Sequence, residues 1–156
     1  MDAAAAFLGV RPRSVIETRR RLRHLGYPSA LVDTVVDRLV EMGYLDDASF
    51  ARAWVESRDR ARPRGEAALR RELALKGVAR ETIDEVLAAR QQHPSGETAD
   101  VTAALRLLAR RRSALEREPD PRKRRQKAYA LLARNGFDPE VCRTAAAGSL
   151  DPDDDG

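Results

Sequence analysis

Between Val32 and Val40 the apolar residues fall at Val32, Val35, Val36, Leu39 and Val40. That is the i, i+3, i+4, i+7 spacing of a helix with one buried stripe. Asp33, Asp37 and Glu41 recur every fourth residue and form an acidic line on another face. Gly43-Tyr44-Leu45 closes this helix. Asp46-Asp47 opens another, which carries Phe50, Ala51, Trp54 and Val55 and runs to Arg62. A preceding helix is predicted from Arg13 to Leu25, with Val15, Leu22 and Leu25 on one side and Arg13, Arg20 and Arg23 on the other. Ile16 falls among those arginines and is expected to touch a neighbouring helix. The same periodicity predicts helices near 65–76, 80–90, 98–117, 121–135 and 139–147, with Gln91 to Gly96, including His93, as a connector.

These helices repeat. Pro-Arg pairs stand at Pro12-Arg13, Pro63-Arg64 and Pro121-Arg122, and glycines follow at Gly26, Gly77 and Gly136. An apolar residue follows each glycine: Tyr27, Val78 and Phe137. Proline has no backbone donor and suits a helix start. Glycine suits the left-handed position just past a helix end. A second helix then begins at a capping residue, such as Ser29 or Asp138. The unit is a helical hairpin used three times. Its spacing sets expected boundaries at 1–62, 63–117 and 118–147, the last partial, followed by a disordered acidic tail at 148–156.

Composition supports an all-helical reading. Ala and Arg occur 26 times each, Ile only twice, and aromatics make up 4% of 156 residues. Such usage favours helix and disfavours strand. The longest apolar run, Ala3 to Leu8, is far short of the ~20 residues of a membrane span, and the first residues lack the basic and apolar regions of a signal peptide. A single cysteine, Cys142, forms no intramolecular disulfide and fits a cytoplasmic setting. The net charge is only +4, but charge follows the repeat. Six basic residues and one acidic occupy Arg11 to Leu25, against one basic and five acidic from Val32 to Ser49. Basic first helices and acidic or mixed second helices would segregate charge along an elongated stack.

Little here resembles a reaction centre. His24 and His93 have no cysteine or second histidine at metal-ligand spacing. Cys142 reads as a small packed apolar residue. Asp46 and Asp47 are adjacent, so on a helix they point about 100° apart, and capping with a first-turn charge is the better account. No glycine-rich phosphate loop precedes a helix. Neither catalysis nor a cofactor is expected. A helix-turn-helix DNA reader would insert a second helix into the major groove. The best-patterned second helix here carries Asp33, Asp37 and Glu41, which phosphates would repel.

The stretch Gly43-Tyr44-Leu45-Asp46-Asp47-Ala48-Ser49-Phe50-Ala51 resembles the Gly-Tyr-hydrophobic-(Asp/Asn)-Asp-x-x-Phe-Ala signature of the RecX family. Arg13-Ser14, Leu22, Gly26-Tyr27, Val55, Arg58, Gly65, Glu72-Leu73 and Lys76-Gly77-Val78 also stand where that family's pattern has them. The match is spread over residues ~8 to 90; the third unit follows in outline through Ala128, Leu131, Gly136 and Phe137. The resemblance implies an all-α chain of tandem three-helix repeats forming a curved rod. It implies binding in the groove of the RecA filament on single-stranded DNA, with lowered ATP hydrolysis, strand exchange and coprotease activity. The expected contact residues are the basic ones, Arg13, Arg20, Arg23, Arg64, Arg71, Arg122 and Arg125. Gly43, Tyr44, Asp46, Asp47, Phe50 and Arg58 belong to the signature and read as structural. A monomer is expected. The alternatives are a plain helical DNA-binding protein, with RecA irrelevant, and a protein-interaction adaptor.

Overall fold

A computed structural model of the chain describes residues 1–91 and 97–149. Among the described residues are ten helices and no strand: α1 (Asp2–Val10), α2 (Val15–His24), α3 (Ser29–Glu41), α4 (Asp47–Ala61), α5 (Glu66–Leu75), α6 (Arg80–Gln91), α7 (Ala99–Arg110), α8 (Arg112–Glu116), α9 (Pro121–Arg134) and α10 (Pro139–Gly148). The expected connector around His93 and residues 150–156 of the expected tail lie outside the described residues.

Local chemistry sets most helix ends. Ser14 and Glu17 form a reciprocal capping box at α2: the Ser14 hydroxyl accepts the Glu17 amide and the Glu17 carboxylate accepts the Ser14 amide, both at 3.1 Å. Asp138 accepts the Val141 amide at 2.9 Å and starts α10, as expected. Ser29 does not cap α3; it is the first helical residue. Pro28 holds the extended backbone of the cap itself (φ −58°, ψ 142°), and its carbonyl accepts the Val32 amide at 3.0 Å.

Gly26, Gly43, Gly77 and Gly136 all have positive φ. At each, the residue after the glycine donates to the carbonyl five positions back, as in Tyr27 to Leu22 at 3.3 Å and Phe137 to Leu132 at 3.3 Å. These are Schellman closures, which satisfy carbonyls the helix leaves open. The following residue packs as predicted at Val78 and Phe137, while Tyr27 is exposed. The helix expected over 98–117 breaks at Arg111, which lets Leu115 join the same core as Leu107 and Leu108.

The chain divides into two compact units. The first comprises residues 1–55 and 72–86, the second 56–71 and 87–156. One core cluster, within the first unit, gathers Ala4, Leu22, Val32, Val36, Leu39 and Leu45. Leu25 and Val40, assigned to apolar stripes on periodicity, lie exposed at the helix ends. In the second unit Leu107, Leu108, Leu132 and Phe137 pack with five alanines and buried Cys142. Burial raises the Cys142 thiol pKa. The small side chains let α7, α9 and α10 approach closely, so this core is thin but continuous.

Candidate functional site

In the first unit the Gly-Tyr-Leu-Asp-Asp segment is a turn joining α3 to α4. Gly43 supplies the left-handed residue (φ 75°). Asp46 caps α4, accepting the Ala48 amide at 2.9 Å and the Ser49 amide at 3.2 Å. The backbone and hydroxyl bonds from Ser49 hold its carboxyl below the usual range. Asp47 does something adjacency did not suggest. Its Oδ1 accepts the Val15 amide at 2.9 Å, so it closes the N-terminus of α2 from 32 residues away. Burial pushes its pKa up, and the carboxylates of Asp46 and Glu17 add to the rise. Phe50 is buried and meets Trp54 at 6.0 Å between ring centres. The Trp54 indole donates to Glu72 at 2.8 Å, and the Lys76 ammonium lies 5.2 Å from its ring. Those roles are structural. Tyr44 is 66% exposed and, with Arg13, Asp46 and Phe50, lines an open cleft of about 620 Å³. Ile16 meets the α5–α6 corner at Gly77, the contact its position implied.

The arginines predicted as a basic face on α2 have different fates. Arg23 lies 3.4 Å from Asp33, and Arg19 lies 3.1 Å from Asp37 and 3.6 Å from Asp33. Two arginines of α2 are therefore paired with Asp33 and Asp37 of α3, so these two faces meet rather than forming segregated surfaces. Arg13 is half-buried, and burial with the nearby Arg11 charge lowers its pKa. Arg20 is exposed and forms no ion pair among the described residues.

In the second unit Asp100 repeats the device of Asp47. It lies in the first turn of α7, and its Oδ2 accepts the amide of Glu66, the first residue of α5, at 3.0 Å. Here a cation answers it: Arg90, with its side chain 6% exposed, donates to Asp100 and, with two nitrogens, to Asp59 at 2.8 and 3.0 Å. Burial alone would lower the Arg90 pKa, but the two carboxylates raise it. Neither Arg90 nor Asp100 was singled out in the sequence, because the contacts that pair them are tertiary.

Arg64 is half-buried and donates to Asn135. Arg58 is half-buried too, whereas Arg71 is exposed. Arg122 and Arg125 are exposed and come together with Arg143 and Tyr129 along a concavity of about 500 Å³. Arg143 was missed because it stands alone in an alanine-rich helix. A second concavity, of about 480 Å³, is lined by Arg62, Arg64, Arg110 and Arg111 with Asn135. Among the described residues no group of three or more His, Cys, Asp or Glu could hold a metal ion, and no helix is long and apolar enough to cross a membrane.

Three family models match the chain in succession. They are described as the first, second and third three-helix domains of RecX and cover residues 1–39, 46–87 and 99–145. They group α4 with α5 and α6, whereas the proline–glycine spacing grouped the same helix with the two before it. The chain is 34% identical over 146 residues to the regulatory protein RecX of Chlorobium phaeobacteroides, covering 91% of this chain and 87% of that one. It is 38% identical over 131 residues to that of Mycobacterium sp. strain JLS, covering 83% and 70%. A crystal structure of RecX from Lactobacillus salivarius superposes with a TM-score of 0.78 at 17% identity, over 95% of this chain and 92% of that chain.

Proposed function

The chain belongs to the RecX family of regulatory proteins, and from that premise we propose that it is a negative regulator of the RecA recombinase. It binds in the groove of the RecA filament on single-stranded DNA and lowers ATP hydrolysis, strand exchange and coprotease activity. It thereby restrains recombination, DNA repair and the SOS response in the cytoplasm. The action is non-enzymatic: the protein works by occupancy.

One observation carries the reading, the succession of three RecX domain matches from residue 1 to residue 145. The side chains supply a means. Arg20, Arg71, Arg122 and Arg125 are exposed, and each can approach acidic protein surface or DNA phosphates. Arg23, held by Asp33, and Arg64, held by Asn135, serve the fold first. Contacts of this kind are individually weak, so affinity must come from several made together along the filament.

The test is ATP hydrolysis by RecA on single-stranded DNA, titrated with the protein. Hydrolysis should fall with dose, and the protein should prefer RecA-coated strands to bare DNA. Unchanged hydrolysis, with equal binding to bare duplex, would replace this reading with that of a general DNA-binding protein.

A further inference from the structure

The concavity bounded by Arg62, Arg64, Arg110 and Arg111 plays no part in the reading above. Three separate stretches of the second unit build it: the link from α4 to α5, the end of α7 and Asn135 just past the end of α9. Its lining includes four guanidinium groups and no carboxylate. Arginine at a helix C-terminus usually serves the fold by donating to the last carbonyls. Arg110 does this here, donating to the carbonyls of Arg60 and Ala61 at the end of α4. In doing so it covers the negative end of that helix, which would otherwise oppose an anion. Arg64 is braced by Asn135. The link itself is held in place, because the Gly65 amide donates to the Asn135 carbonyl at 2.9 Å and a side chain at Gly65 would collide with the backbone of Gly136 and Phe137.

Folding thus accounts for two of the four cations. Arg62 and Arg111 are exposed, and neither forms an ion pair or side-chain hydrogen bond among the described residues. The contrast with Arg19 and Arg23, each beside an aspartate, is direct. Like charges held at one concave surface repel, and an anion with several acceptor oxygens removes that cost. Guanidinium forks match phosphate oxygens in pairs. About 480 Å³ accommodates more than a single phosphate group.

We propose that this arginine-lined concavity is a phosphate-binding site that takes two or more linked phosphate groups. Arg62 and Arg111 bind the ligand, and Arg64 and Arg110 shape the wall. Two sources share that chemistry, the backbone of a single-stranded nucleic acid and the phosphate chain of a free nucleoside triphosphate. The proposal does not depend on the RecA reading, and its test contains no RecA.

The experiment measures fluorescence anisotropy of a labelled 12-nucleotide oligo(dT) against the full-length protein over a range of salt, with ATP and with pyrophosphate as competitors. Arg62→Ala/Arg111→Ala should weaken oligonucleotide binding about tenfold or more. It should also flatten the log–log salt slope by about 1.4, at ~0.7 for each single-strand phosphate that is no longer neutralised. Arg38→Ala/Arg80→Ala removes the same net charge elsewhere and should change binding less than threefold. Displacement by ATP and pyrophosphate at millimolar concentration supports the shared phosphate chemistry. ATP binding that is lost in the first double variant, without oligonucleotide binding, assigns the site to the free nucleotide. Both exchanged residues are exposed, so circular dichroism and the melting temperature should stay at wild-type values. Equal losses in the two double variants, an unchanged slope, or no binding of any probe to the wild-type protein would overturn the proposal.

Discussion

Asp47 in the first unit and Asp100 in the second do the same mechanical work. Each lies in the first turn of a helix and accepts the first amide of another helix, at 2.9 and 3.0 Å. Their electrostatic settings are opposite. Asp100 faces the buried Arg90, whereas the charges acting on Asp47 are the carboxylates of Asp46 and Glu17. One cap is therefore half of an ion pair, and the other is a carboxylate partly stripped of water. The arginines divide within each unit. In the first, Arg19 and Arg23 are taken by α3 carboxylates while Arg20 is exposed without an ion pair among the described residues; in the second, Arg90 is held by Asp59 and Asp100 while Arg62, Arg71, Arg111 and Arg122 remain exposed without one. The number of arginines on a helix therefore says little about binding; what matters is whether the fold also supplies each one's carboxylate.

The contrast between the caps is broken most strongly by removing its cation. Arg90→Ala leaves Asp59 and Asp100 facing each other at a buried site and should cost about 3–5 kcal/mol in urea unfolding. The matched pair Asp100→Asn and Asp47→Asn sharpens it. Both keep an oxygen for the amide, but the first strips Arg90 of a partner and should cost about 2–4 kcal/mol. The second removes a charge that burial disfavours and should lie within about 1 kcal/mol of wild type, on either side. Equal losses would show that the cap hydrogen bond, not the charge, governs both. Gly65→Ala should cost about 1–3 kcal/mol, since a methyl group there must displace the Gly136 backbone.

The smallest effect concerns acid. Burial by itself would raise the Glu17 pKa, but the hydrogen bond and ion pair with Lys76 at 2.8 Å, together with the Ser14 amide, hold it lower. A carboxylate with a depressed folded-state pKa contributes stability that is present above its unfolded value, near 4.3, and lost as pH falls through the folded one. Asp47, raised by burial, has the opposite sign: between about 3.9 and its folded value, lowering the pH favours the folded state. Glu17→Gln should therefore flatten the acid limb of the stability profile, whereas Asp47→Asn should steepen it. Melting temperatures between pH 3 and 6 read both.

What could be read along the chain was local. The glycines at 26, 77 and 136 announce helix ends because no other residue adopts positive φ so readily. Asp138 and the α3 stripe follow from neighbours within one or two turns. The failures have a common cause. Ser29 looked like a cap, but Pro28 had already set the backbone. Asp47 does supply the first-turn charge of α4 expected of it, but its bond to the Val15 amide, 32 residues away, lies beyond any local reading. Arg23 counted as free because Asp33, ten residues on, comes within reach only after α2 and α3 pack. The concavity at Arg62 and Arg111 has a sequence trace in Arg62-Pro63-Arg64 and Arg110-Arg111-Arg112, but nothing local joins the two stretches.

The proposed regulatory role draws its means from exposed arginines such as Arg20, Arg71 and Arg122. Its most direct measurement is RecA ATP hydrolysis on single-stranded DNA, titrated with wild-type protein, with Arg20→Glu/Arg71→Glu/Arg122→Glu and with Arg19→Ala/Arg23→Ala. The wild type and the double variant should inhibit with half-effects within about threefold of each other, and the triple variant should lose inhibition while keeping its helical circular dichroism. Inhibition by the triple variant at the wild-type dose, or none by the wild type, would contradict the account.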